Sequence, residues 1–145
     1  MKPIIFCLLF ISIASCSPDE AYGRVTNVVD GDTFDVALGD YSSCQVAEDV
    51  IRIRLADIDT PETRGAKACE AGKEASAYTR TWLQSTYVFL DLDDKTGKDS
   101  FGCWIAVVYL SENNQPGRNF NKQLVDSGHA VIEDFKNNEF DPRSW

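Results

Sequence analysis

Apolar and polar residues alternate along the chain in several short runs, and these runs give its elements. Two β-rich runs, RVTNVVD and DTFDVAL, meet at Asp30-Gly31-Asp32 in a hairpin-like turn. Phe34, Val36 and Leu38 alternate with Asp35 and Ala37, which buries one face. VIRIRLA alternates again, with Ile51, Ile53 and Leu55 on one face and Arg52 and Arg54 on the other. In GKEASAYTRTWLQST the spacing becomes helical. Ala71, Ala75, Tyr78 and Trp82 share a stripe and predict a helix ending near Ser85. YVFLDLD reads as a strand, and CWIAVVYL as a continuous apolar strand covered on both faces. ENNQPGR breaks the pattern. NFNKQLVDSG gives a short helix with Asn119 as cap and Gly128 as stop, and HAVIEDF is extended.

The order is β-β-β-α-β-β-α. Five strands with a helix after the third predict a mainly β (α+β) fold, a five-stranded closed antiparallel barrel of the OB type with inserted helices. A chain of 145 residues, 43% apolar and 26% charged, is sufficient for one domain with one core. The N-terminal MKPIIFCLLFISIASC stands apart. Lys2 precedes an apolar run too short to span a bilayer, which reads as an export signal. Ile13-Ala14-Ser15-Cys16 resembles a bacterial lipobox, in which the chain is cut before the cysteine and the cysteine is acylated; Ser17 then points to the outer membrane. The organisation expected is a signal peptide over 1–15, a lipid-anchored tether over 16–22 and a folded domain over 23–145. The protein would face the periplasm or the cell surface. The alternative is a plain signal and a secreted soluble protein.

Export places the cysteines in an oxidising compartment. Cys44 and Cys69 flank the DIDTPE segment, and a bridge between them would tie the loop before the strand to the segment after the turn, contributing roughly 3 kcal/mol. Cys103, in an apolar run, is expected to be a buried free thiol. The cysteine spacings and the single histidine, His129, argue against a zinc site.

A net charge of −9 excludes nucleic-acid binding by basic patches alone, so any polyanion must be held by a local site with a cation. The candidates for such a site lie at two turns. Asp32 follows one; Asp59 and Glu62 flank the other. Hard cations such as calcium take carboxylate and carbonyl oxygens on turns. Pro61 pushes Thr60 toward an extended conformation that could aim its carbonyl at an ion. Arg54 offers a planar fork for phosphate oxygens. Together these are the parts for metal-assisted phosphodiester cleavage. Arg52 reads as a surface ion pair, Asp57 as a turn or edge residue, and His129 as structural or superficial. Tyr78, Trp82 and Trp104 read as packing residues.

The segments VVDGDTF, IRLADIDTPETR, EASAYT and LVDSGHA resemble, in order and spacing, the thermonuclease (staphylococcal nuclease-like) family from about Gly23 to Ile132. The resemblance implies an OB barrel and calcium-dependent endonucleolysis of DNA and RNA to 3′-phosphates, by a protein expected to be monomeric. It implies calcium ligation by Asp32, Asp59 and the Thr60 carbonyl, catalytic roles for Arg54 and Glu62, and a supporting role for Asp30 behind the ligands. It also exposes a departure. In DSFGCW, Cys103 stands where the family has a second catalytic arginine, and Ser100 and Phe101 replace a lysine and a tyrosine. IEDF lies where the family often has base-stacking tyrosines. Lys95 or Lys98 could supply the missing charge. The alternative function is an OB module with weakened catalysis that binds nucleic acid or a protein partner.

Overall fold

The computed structural model describes residues 20–39 and 46–145. The expected signal peptide, the acylated Cys16 and Cys44 lie outside these residues. Eight strands and two helices follow one another: β1 (Ala21–Asp30), β2 (Thr33–Leu38), β3 (Val50–Leu55), β4 (Ile58–Asp59), α1 (Glu70–Leu83), β5 (Tyr87–Leu92), β6 (Trp104–Glu112), β7 (Gln115–Asn119), α2 (Phe120–Asp126) and β8 (Val131–Ile132).

The main sheet runs β3-β2-β1-β5-β6-β7, and an additional parallel pairing of β3 with β6 closes five of its strands into a barrel. The five-stranded barrel expected from the alternation is therefore present, with the correction that its closing pair is parallel, not antiparallel. Inward-facing positions of every strand fill it: Val25, Phe34, Val36, Ile53, Leu55, Val88, Leu90 and Val108 are all 0–1% exposed. The apolar run in β6 is covered on both sides, since Ile105 and Val107 pack in a second small cluster with Ala56. At the closing seam Ala56 N donates to Ala106 O at 2.8 Å. Asn121, fully buried on α2, pins the seam from above: its Oδ1 accepts from Val108 N, and its Nδ2 donates to Ala56 O and Ala106 O.

Several expectations need correction. The barrel begins before residue 23, because Ala21 is already buried in β1 and Leu92 N donates to Glu20 Oε2. ENNQPGR is no break; it contains a tight turn and the edge strand β7. Asn113 and Asn114 both adopt positive φ, 53° and 59°, which suits a two-residue hairpin turn. Pro116 is tolerated because β7 is an edge. The buried stripe of α1 is Gly72, Ala75, Ser76, Thr79 and Leu83, rotated from the one expected; Ala71 is exposed. Tyr78 and Trp82 are half-buried against the core. The helix needs its small residues inward because it lies close against the site-bearing turns.

Candidate active site

Antiparallel pairing of β2 with β3 sets Arg54 opposite Thr33, next to Asp32. The short β4 pairs with β8, Asp59 opposite Val131, and so holds the second turn beside the first. The outcome is one cluster. Arg54 Nη2 lies 3.0 Å from Asp32 Oδ2 and 3.1 Å from Asp59 Oδ1. Thr60 donates to the same Asp32 oxygen from its backbone N (3.3 Å) and its hydroxyl (3.1 Å), while Thr33 Oγ1 donates to Asp32 Oδ1 at 2.9 Å. Asp32 is nearly buried and fully satisfied; the Asp59 side chain is 45% exposed. Behind them, Thr63 donates its hydroxyl to Asp30, which ties the loop after Glu62 to the first turn. Glu62 itself is exposed.

The structure thus brings together Asp32, Arg54, Asp59 and Thr60, with Asp30 tied in through Thr63 and the exposed Glu62 on the loop between Thr60 and Thr63. Among the described residues no group of three or more His, Cys, Asp or Glu stands close enough to hold a metal alone. What is present is an oxygen donor set: two carboxylates within reach of one guanidinium nitrogen, with Thr60 beside them. Two acids already sharing one positive charge fit a hard cation better than a soft one. Arg54 Nε and Nη1 have no partner among the described residues, and the side chain is 33% exposed. Those free donors suit a phosphate.

Beside this cluster is a cleft of about 390 Å³, lined among others by Arg54, Asp57, Lys98, Phe101 and Phe135. Phe101 is 90% exposed and Phe135 43%. Lys98 lines the cleft, yet its Nζ is held by Glu48 Oε1 at 2.7 Å and lies 4.9 Å from the Trp104 ring. Lys95 Nζ donates away, to Lys136 O. Cys103 is a buried free thiol, as expected. Burial raises its pKa, and the charges of Arg52 and Arg54 act on it from nearby. Cys69 is an exposed thiol, Sγ 3.9 Å from Glu62 O; its expected bridge to Cys44 falls outside the described residues. Arg52 forms the expected surface pair, with two bonds to Asp35 at 2.7 and 3.0 Å that hold the Asp35 carboxyl below its usual range. His129 packs its ring 4.5 Å from Tyr78.

Two residues escaped the sequence reasoning. Asp57 is a turn residue, as expected, but a buried one: it is 1% exposed with φ 54°. Its Oδ1 accepts from Phe135 N (2.9 Å) and Asn138 Nδ2 (2.7 Å), its carbonyl accepts from Glu133 N, and its Oδ2 is buried without a partner. Burial pushes its pKa up. It anchors the segment that walls the cleft. Gly72 is the second. A Cβ there would run into the Glu62 carbonyl and stand 2.8 Å from Pro61 O, so only glycine lets α1 press on this loop. Gly31 meets Ala75 and Thr60 similarly at 3.0 Å, and Thr79 Oγ1 donates to Gly31 O at 2.6 Å. One helix therefore positions both turns. A glycine inside a helical run was the available signal for Gly72.

The family model for staphylococcal nuclease homologues matches residues 52–144. Among curated relatives, "Protein ParB" of Escherichia coli is 31% identical over 93% of this chain and 70% of its own length. An uncharacterized protein of Methanocaldococcus jannaschii is 28% identical over 77% of this chain and 58% of its own. A Haemophilus influenzae protein named "Uncharacterized endonuclease" is 28% identical over 85% of this chain and 58% of its own. The chain thus spans roughly half to 70% of the length of the relatives it matches.

Proposed function

The chain belongs to the staphylococcal nuclease homologue family, and from that premise we propose that it is a calcium-dependent endonuclease of DNA, RNA or both. The observation that carries this reading is Arg54: one of its nitrogens ties the two acids, and its remaining donors have no partner among the described residues. Asp32, Asp59 and the Thr60 carbonyl would hold the calcium, which supplies positive charge against the phosphate when bound.

The chain's own residues divide the remaining work. Arg54 donates from its free nitrogens to the phosphate oxygens and stabilises the charge that builds up on them. Glu62, exposed and three residues after Asp59, takes a proton from water. The water oxygen bonds to phosphorus, the bond from phosphorus to the 5′ oxygen breaks, that oxygen takes a proton from solvent and leaves as a hydroxyl, Glu62 returns its proton to solvent, and a 3′-phosphate remains. Asp30 holds the Glu62 loop through Thr63. Phe101 and Phe135 offer exposed rings to unpaired bases in the cleft. Location is part of the proposal: a protein acylated on Cys16 and held at the outer membrane, to be tested by fatty-acid labelling that is lost in Cys16→Ala.

The purified mature protein, incubated with single-stranded DNA, should cleave with calcium and stop with chelator, and Glu62→Gln should remove the cleavage. Chelator-insensitive cleavage, or none, would sink the reading. A second reading rests on Cys103, which contributes no charge: a weakened enzyme that retains binding. Cys103→Arg should raise the rate if an arginine there can join Arg54, and a binding module would gain nothing.

A further inference from the structure

Eight of the lysines and arginines among the described residues sit in ion pairs with acids: Arg52, Arg54, Lys73, Lys98, Arg118, Lys122, Lys136 and Arg143. Arg24, Arg80 and Lys95 donate to backbone carbonyls. Arg64 and Lys67 alone have neither an acid nor an acceptor among the described residues, and both are exposed. On a chain of net charge −9, the two uncommitted cations share one short loop.

That loop begins at the proposed catalytic glutamate. Thr63 is tied to Asp30, and Cys69 N donates back to Glu62 O at 3.1 Å. Gly72 packs against the same carbonyl. Both ends of the loop therefore converge on Glu62. Every residue from Arg64 to Glu70 is exposed, so the segment adds nothing to the core. Its seven residues, Thr63 to Cys69, include two cations and no acid, and the first acid beyond, Glu70, is paired with Lys73 at 3.1 Å. A pinned, core-free, locally positive loop beside the reacting position has the chemistry to follow a phosphate backbone.

We infer that the loop of residues 63–69 is a backbone track, in which Arg64 and Lys67 hold the phosphates of the strand next to the bond being cut. The inference rests on the nuclease reading and extends it from one phosphate to its neighbours. It separates two tasks on one acidic molecule: Arg54 serves the reacting phosphate, and the loop serves strand length.

The test is binding, with catalysis switched off. A fluorescent single-stranded oligonucleotide is titrated with the mature protein carrying Glu62→Gln, in calcium, over a series of salt concentrations. Arg64→Ala and Lys67→Ala should each weaken binding several-fold at low salt. Each should flatten the slope of log affinity against log salt by about 0.7, the release expected for one phosphate of a single strand. Arg64→Lys and Lys67→Arg should restore the slope, and Lys122→Ala on α2 should leave it unchanged. In the active background the same variants should raise KM for long strands with kcat unaltered. A double Arg64→Ala, Lys67→Ala protein that keeps the parent slope overturns the track while the nuclease reading stands. A parent that neither binds nor cleaves overturns both.

Discussion

Asp32 and Asp59 share one nitrogen of Arg54, whereas Asp91, in β5, stands among Glu20, Asp93, Asp94 and Glu139, acids whose charges all act against its own. Burial first, and those neighbouring charges second, push the Asp91 pKa up to about 7. Both regions concentrate acid. At the turns, the acid is balanced by a guanidinium and organised by Thr33, Thr60 and Thr63 around it. On β5 the neighbouring charges that act most strongly are acids, and the raised pKa of Asp91 keeps a proton on it below about pH 7. The comparison teaches that a count of carboxylates does not identify a site; a shared counter-charge and free donors beside it do.

The largest test of that contrast is removal of Glu62 function. Glu62→Gln should lower cleavage by about 10²–10⁴-fold with an unchanged melting temperature, while Glu139→Gln on the other acidic region should leave the rate unaltered. Next is Asp57→Ala, which removes the anchor of the 133–138 segment. It should cost about 2–3 kcal/mol in denaturant unfolding, because the amide of Phe135 and the side chain of Asn138 lose their buried acceptor. Gly72→Ala should displace the Glu62 loop, costing about 1–3 kcal/mol and lowering kcat more than it raises KM, whereas Ala71→Ser on the exposed face should do neither.

Asp91→Asn should act in the opposite direction and with pH. The native protein binds this proton more tightly than the unfolded chain, so the wild type loses stability as pH rises from about 4 toward 7. The variant lacks that loss. Its melting temperature should match the wild type near pH 4 and exceed it by roughly 3–6 °C above pH 7. A gap that is the same at both pH values would show that Asp91 is not protonated in the fold. The smallest effect is expected at the exposed pair of Arg143 and Asp141, where Arg143→Ala should leave the melting temperature unchanged.

The barrel was legible because alternation is a local property: Phe34 and Val36, or Ile51 and Ile53, reveal their shared face within a few residues. That Asp32, Arg54, Asp59 and Thr60 would meet was legible through the spacing of two turns and one arginine. Asp57 was not. Its burial depends on Phe135 and Asn138, which lie nearly eighty positions away, and nothing in DIDTPE distinguishes it from Asp59, two residues on; its positive φ in the turn before β4 is visible only in the fold. The second turn of Asn113 and Asn114 was visible as turn chemistry, but Pro116 and Gly117 hid the strand that follows because β7 lies at an edge. The stripe of α1 was misjudged for a physical reason. Large apolar residues usually mark the inward face, and here that face must be small to let the helix reach Gly31 and Glu62.

The parallel seam between β3 and β6 has a consequence for time. It joins Ile53 to Trp104 and Leu55 to Ala106 across some fifty residues, and the Asn121 that locks it comes later still. A nascent chain carries Asp32, Arg54 and Asp59 long before this distant pairing can hold β3 in place. Such non-local closure is slow compared with hairpin formation. Recovery of cleavage after dilution from denaturant should therefore trace the slowest folding phase, with no active species preceding it.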